Sequence, residues 1–259
     1  MKKTLFLLGT LLMLGSFSFE AQADIFNVGG VRTKIYSYSK KSFDGADQEV
    51  RAMAPINAIS NNGPLNVIYV ESEESKVIVE GTKDLFCRVQ TQYKEGTVSI
   101  SLDAGTYRDL WLQVVVYAPK LMSIKCMGEG DVTALKVNCT NDEMSVRVMG
   151  SATVRIDELT CEDDLDLHIT GSGDVKTKKI SCQKLDVNVT GSGDVKAEQA
   201  TCGAVEVTVS GSGGVQFSNI EGKDASLSVA GSGCIAGSVA CSVLEQKTTG
   251  SGSVLLKKK

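Results

Sequence analysis

"TGSGDVKTKKISCQKLDVNVTGSGDVKAEQATC", residues 170–202, states nearly the same phrase twice: Gly-Ser-Gly-Asp-Val returns after 20 residues, with a cysteine at the same place in each copy. Working outward, glycine pairs separated by one residue recur at Gly128/Gly130, Gly171/Gly173, Gly191/Gly193, Gly211/Gly213, Gly231/Gly233 and Gly250/Gly252, and Gly150 with Ala152 is a degenerate copy. The steps are 22, 21, 20, 20, 20 and 19 residues. Self-similarity at a fixed period is the signature of a repeat architecture. Seven copies occupy residues 121–259.

Parity supplies the geometry. In one copy Leu185, Val187, Val189, Gly191, Gly193, Val195 and Ala197 fall on odd positions, with Asp186, Asn188, Thr190, Ser192, Asp194 and Lys196 between them. Unbroken period-two alternation marks extended chain with one buried face. The next copy repeats it with Val205, Val207, Val209, Gly211, Gly213, Val215 and Phe217. The glycines Gly171, Gly173, Gly191, Gly193, Gly211, Gly213, Gly231 and Gly233 thereby take structural places on the inward side, where glycine in a strand marks a sharp bend or a close backbone approach. Ser172, Ser192, Ser212, Ser232 and Ser251 point outward at the same corner.

Past the corner the parity breaks and a second apolar pair appears: Val137 with Cys139, Leu159 with Cys161, Ile180 with Cys182, Ala200 with Cys202, Ile220 with Gly222, and Val239 with Cys241. A unit of ~20 residues without helical periodicity fits one coil of a solenoid whose strands pair with their equivalents one coil away. The expected fold is all-β: a single-chain parallel β-helix, right-handed because parallel crossovers nearly always are. Its coils stack about 4.8 Å apart. Parity leaves open whether each coil is flattened or three-sided.

Residues 50–120 carry the strand-like runs "LNVIYVES", "KVIVEG", "TVSISLD" and "LWLQVVVYA" without the 20-residue spacing. They are expected to form an irregular β segment capping the exposed first coil, continuous with it as one domain over residues 50–259. Residues 24–49 read as a polar, loosely ordered lead-in.

Composition agrees with a strand-built core: 42% hydrophobic residues but only 5% aromatics, with 26 glycines and 3 prolines in 259 residues. Lys2 and Lys3, an apolar run from Leu5 to Phe19 and Ala21-Gln22-Ala23 before Asp24 read as a signal peptide over residues 1–23. No cysteine precedes Cys87, so no lipid-bearing cysteine follows the apolar run. Removing the segment, which holds two lysines and Glu20, moves the formal charge from −4 to −5. The expected protein is exported, to the periplasm or cell surface, with no membrane span after cleavage. A mildly acidic chain whose one basic run is Lys257-Lys258-Lys259 does not suggest a nucleic-acid partner.

The runs "APINAISNNGPLNVIYVES", "KVIVEGTKDL", "GTVSISL" and "VVVYAPKLMSIKCMGEGDV", followed by the series of "GSGDV" turns, resemble an exported bacterial family, the putative autotransporter adhesins with a head GIN domain. The resemblance covers about residues 52–255. It implies a β-helical fold and a periplasmic or cell-surface place, and it brings no catalytic residues.

Candidate chemistry is sparse. Cys139, Cys161, Cys182, Cys202 and Cys241 recur with the coil on its inward side, which suits a ladder of small buried thiols. Stacked parallel side chains rarely present the torsion a disulfide needs, and a linear ladder does not converge four ligands on a metal. Cys234 replaces the residue after Gly-Ser-Gly and turns outward, where a thiol could react. "GSGDV" differs from calcium-binding nine-residue β-roll repeats in its period and in its scattered aspartates, Asp131, Asp174 and Asp194. His168, the one histidine, has outward parity and no evident partner. Arg155 with Asp157, and the run Glu162-Asp163-Asp164, are the residues an enzyme acting on polysaccharide would draw on, although acidic runs are commonly solvated turns.

No catalytic residue, cofactor or metal is therefore assigned. The expected function is non-catalytic: an adhesin-like module presenting a repetitive polar face to a glycan, a surface or a protein partner. The outward rows that would carry it are Thr170 and Thr190, Ser172 to Ser251, and Asp174 and Asp194. Two alternatives stand beside it, a polysaccharide-active enzyme and a small-lipid binder using the apolar mass at Trp111, Tyr117 and Leu121.

Overall fold

The computed structural model describes residues 24–28, 31–139 and 142–258; the segment read as a signal peptide lies outside the described residues. The N-terminal region contains β1 (Asp24–Val28), β2 (Val31–Ile35), β3 (Asp47–Ala52), β4 (Ala58–Asn61), β5 (Asn66–Glu71), β6 (Lys76–Gly81), β7 (Val89–Lys94), β8 (Thr97–Leu102), β9 (Gly105–Tyr107) and β10 (Leu112–Ala118). The repeats supply β11 (Ser123–Cys126), β12 (Val132–Cys139), β13 (Met144–Val148), β14 (Thr153–Cys161), β15 (Asp164–Gly171), β16 (Asp174–Gly191), β17 (Asp194–Gly211), β18 (Gly214–Gly231), β19 (Cys234–Ala240), β20 (Val243–Gly250) and β21 (Ser253–Lys258).

The repeats stack as the parity demands, in a β-solenoid of parallel coils. Leu185 pairs between Leu165 and Val205, Val187 between Leu167 and Val207, and Val195 between Val175 and Val215. These columns are buried and form one continuous core. Pairing lapses at residues 192–193, 198 and 203, so a regular coil has three paired segments, 184–191, 194–197 and 199–202. The buried parity switches from odd to even between Ala197 and Ala200, and back between Cys202 and Val205. Those switches are the parity breaks visible in the sequence.

The two glycines at each corner have separate reasons to be glycine. Gly193 is buried, and a Cβ on it would strike the Gly173 carbonyl and Ile169 Cγ2. Gly191 is not fully inward. Its φ of +120° is a conformation that side chains rarely adopt, and a Cβ would stand 2.5 Å from the Gly171 oxygen.

The parallel stack also extends below residue 121. In β4, Ile59 pairs with Ile124, and in β5, Val67 pairs with Val132, which makes one more coil. Outside that coil, β8 runs parallel to β4 and β10 parallel to β5. The β8/β10 layer follows β4/β5 in sequence yet lies on their far side from the repeats, so the stacking order reverses here. Antiparallel strands close the end: β6 on β10, β3 on β6 and β7 on β8. Within this cap Glu80 is buried, and its two carboxylate oxygens accept Gln48 Nε2 at 2.7 Å and Gln113 Nε2 at 2.5 Å. Part of the stretch read as a loose lead-in is strand: β1 and β2 form a hairpin, β9 adds to β2 in parallel, and Ile35 is buried, while residues 36–46 carry no strand.

At the other end, among the described residues, β20 and β21 each have a partner on one side only. Leu244, Val254 and Leu256 still pack against the core, but other positions in these columns turn polar. Gln246, Thr248 and Lys258 stand where the preceding coil carries Leu227, Val229 and Val239.

Candidate functional site

The strand before each Gly-Ser-Gly corner builds a flat polar face. Its columns run in register from coil to coil: Asp166, Asp186, Glu206 and Ser226; then His168, Asn188, Thr208 and Ser228; then Thr170, Thr190, Ser210 and Ala230. Ladder spacing sets about 4.8 Å between coils, and alternate residues along a strand stand roughly 7 Å apart. Thr170 and Thr190 are exposed, as are Ser172, Ser192, Ser212, Ser232 and Ser251 at the corner. Among the described residues, the hydroxyls of Thr190 and of Ser192, Ser212, Ser232 and Ser251 make no intramolecular hydrogen bond.

Charge is managed within the face. Asp166, Asp186 and Glu206 stack like on like, and Lys184 sits against two of them, 3.7 Å from Asp186 and 3.1 Å from Glu206. Burial raises the Asp186 carboxyl above its ordinary range, with Lys184 opposing. His168 is half-buried, and its Nε2 lies 3.1 Å from Thr170 Oγ1, so the histidine does have a partner.

Asp174 and Asp194, expected to be part of the binding rows, are turned to a structural task. Asp174 Oδ1 accepts the Asp194 backbone N–H at 3.2 Å, and Asp194 Oδ1 accepts that of Gly214 at 2.9 Å. Asp131 does the same for Thr153 at 2.8 Å. An outward polar residue bonded to backbone looks no different in sequence from one free to bind. The one available signal was the fixed place of these aspartates, straight after the corner where strand pairing resumes.

Beyond that corner a shallow groove of about 400 Å³ is lined by Arg155, Lys176, Lys178 and Lys196 together with Asp157 and Glu198. Its bases are engaged: Arg155 with Asp131 at 2.6 Å, Lys176 with Asp174 at 2.8 Å, Lys178 with Asp157 at 2.7 Å and Lys196 with Asp194 at 3.8 Å. Arg155 and Asp157 thus serve different ion pairs, Glu162 and Asp163 are exposed at a bend, and Asp164 is exposed at the start of β15. Among the described residues, no three His, Cys, Asp or Glu side chains converge as a metal site would require.

All eight cysteines are free. Cys139, Cys161, Cys182 and Cys202 occupy one column, Gly222 interrupts it, and Cys241 resumes it. Cys234 is half-buried, and Ser253 Oγ donates to its sulfur at 3.5 Å. Trp111, Tyr117 and Leu121 reach three different environments: a stack with Phe43, a place under Lys76 Nζ, and the core. No helix among the described residues is long and apolar enough to cross a membrane.

The family model described as "Putative auto-transporter adhesin, head GIN domain" matches residues 56–258, which takes in the flat face, the corners and most of the cap. The chain belongs to this family. Among solved structures, the chain is similar in fold to a putative adhesin from Bacteroides fragilis NCTC 9343, at 22% identity and TM-score 0.73 over 82% of this chain and 97% of that one. Another is described as a putative lipid binding protein from Parabacteroides distasonis ATCC 8503, at 19% identity and TM-score 0.67 over 82% and 96%. A putative adhesin from Parabacteroides merdae ATCC 43184 follows at 18% identity and TM-score 0.53 over 82% and 96%. At these identities the likeness is one of fold. No functionally curated protein matches the sequence.

Proposed function

We propose that this head GIN protein is an exported, non-catalytic binding module that lays its flat face along an extended, hydroxyl-rich partner, a glycan chain at a cell or matrix surface. The observation that carries this reading is the unengaged hydroxyl array. Thr190 on the face, and the serines from Ser192 to Ser251 along its corner, are exposed and unbonded at a near-constant pitch, with no insertion to interrupt them. A glycan offers donors and acceptors of the same kind at regular intervals. The face has no aromatic platform for sugar rings, so each coil contributes a weak contact, and affinity grows with the number of coils engaged. Export is supported by the family and by the signal-like residues 1–23. The paired charges of the groove, with no free acid and base facing each other, support a role without turnover.

The test is binding of the purified protein to a panel of immobilised polysaccharides, beside a variant carrying Thr190→Arg and Thr208→Arg. Retention on at least one glycan, weakened tenfold or more in the folded double variant, is the expected result. Equal retention of both proteins, or of neither, removes this face as the site.

A further inference from the structure

Cys182 and Cys202 occupy the same position in successive coils, paired directly across the parallel ladder, with their sulfurs 3.2 Å apart. We propose that this pair is a redox-modification site, at which a small peroxide forms a disulfide that staples two coils together. The inference is independent of what the polar face binds.

Among the described residues this pair is set apart from the rest of the thiol column by where its S–H groups point. Cys139 donates toward the Asp142 and Glu143 carbonyls, and Cys161 toward those of Asp142 and Asp164. Cys241 is separated from Cys202 by Gly222. Cys139 and Cys161 also face each other across the ladder, but both direct their thiols to backbone carbonyls, whereas the Cys182 thiol donates to the Cys202 sulfur at 3.2 Å. The hydrogen bond makes the two unequal: it favours the thiolate on Cys202 and holds the proton on Cys182. Neighbouring parallel strands lie about 4.8 Å apart, inside the Cα window of roughly 4.4–6.8 Å for disulfides. The sulfurs must close by about 1.2 Å to reach a bond of ~2.05 Å. Cys182 is half-buried and Cys202 is 5% exposed, which selects a small oxidant over a bulky disulfide.

The chemistry balances in two displacements. The Cys202 thiolate attacks one oxygen of hydrogen peroxide, the O–O bond breaks, and Cys202 sulfenic acid forms with loss of hydroxide. That hydroxide takes the Cys182 proton as water. The Cys182 thiolate then attacks the Cys202 sulfur, the S–S bond forms, and the S–O bond breaks. The departing hydroxide takes up the proton that Cys202 had first released. Two thiols are oxidised, one peroxide is reduced, and two waters leave.

The test exposes the reduced, purified protein to hydrogen peroxide, then denatures it, alkylates free thiols and maps cross-linked peptides by mass spectrometry. Two thiols should be lost, with a single link between the peptides holding Cys182 and Cys202. In Cys182→Ala a dimedone-reactive sulfenic acid should accumulate on Cys202, while Cys202→Ala should give none on Cys182; circular dichroism confirms that each variant is folded. Eight alkylatable thiols after peroxide, a link joining any other pair, or a sulfenic acid on Cys182 would overturn the assignment.

Discussion

Asp131 Oδ1 accepts the backbone N–H of Thr153, one coil further along, at 2.8 Å, while its Oδ2 accepts Arg155 at 2.6 Å. Asp174 and Asp194 repeat the backbone bond in later coils. The Gly-Ser-Gly corner breaks the ladder, and the carboxylate ties the first residue of the resumed strand to the coil before it. The aspartate of "GSGDV" is therefore a cross-coil clamp.

Asp131 is the most sheltered of the three clamps, with a side chain only 12% exposed. A hydrogen bond to a charged group contributes about 1.5–3 kcal/mol, so Asp131→Ala should destabilise the fold by that amount. Asp131→Asn keeps an acceptor for Thr153 but gives up the ion pair, and should fall between the two. Urea titrations of the three proteins check this, and an alanine variant as stable as the parent would dismiss the clamp.

The corner glycines should be intolerant for two different reasons. Gly191→Ala forces a side chain onto a φ of +120°, a strained conformation costing on the order of 1–3 kcal/mol. Gly193→Ala overpacks the corner against Ile169 and should cost a similar ~1–3 kcal/mol. Ser192→Ala, exposed between them, should stay within about 0.5 kcal/mol of the parent. Comparable losses at all three positions in denaturant titrations would contradict the corner geometry.

Alkaline pH should destabilise the fold through its buried thiols. Burial pushes Cys126 from an ordinary 9.0 up to about 12, and Cys139 up to about 11. Both folded values lie above the unfolded ones, so the contribution is fully present below pH 9. It is lost as pH rises toward 11–12, because the unfolded chain ionises while the folded one resists. A single such group changes stability by about 1.4 kcal/mol per pH unit within that window. Cys126→Ala should show a shallower decline in unfolding free energy from pH 9 to 11 than the parent, whatever its stability at pH 7. Identical slopes would mean that Cys126 ionises freely in the fold.

The repeats were legible because one glycine period and one parity rule act on every coil. Gly191, Ser192 and Gly193 place the corner, and the parity switch after Ala197 places the next bend. The cap was only half legible. Strand character was plain in "TVSISL" and "LWLQVVVYA", but nothing local tells β8 and β10 to lie outside β4 and β5, since that order depends on partners far away in sequence. The β1–β2 hairpin was missed because the polar run "YSYSKKSFDGADQE" that follows it dominates residues 24–49, while β2 pairs with the distant β9 and buries Ile35. The polar rows were found as surface, but polarity alone could not separate the bonded aspartates from the unbonded serines.

The coil of β20 and β21 carries polar side chains that should oppose stacking of a second chain upon it. An open coil offers unpaired backbone and an apolar cross-section, a template for another chain. Among the described residues β20 and β21 leave their outer edges unpaired, yet Gln246, Thr248 and Lys258 replace the Leu227, Val229 and Val239 of the coil beneath. A second coil stacked on this surface would have to desolvate an amide, a hydroxyl and an ammonium group without partners for them, which opposes association. Reversing the three positions, with Gln246→Leu, Thr248→Val and Lys258→Val, extends the apolar columns to the end of the stack. The triple variant should keep the parent's circular dichroism and yet associate into larger species as its concentration rises, as read by light scattering after gel filtration. A folded variant whose mass matches the parent's over the same concentrations would show that these residues do not terminate the stack, and that the lysines of β21 or the shape of its edge do so instead.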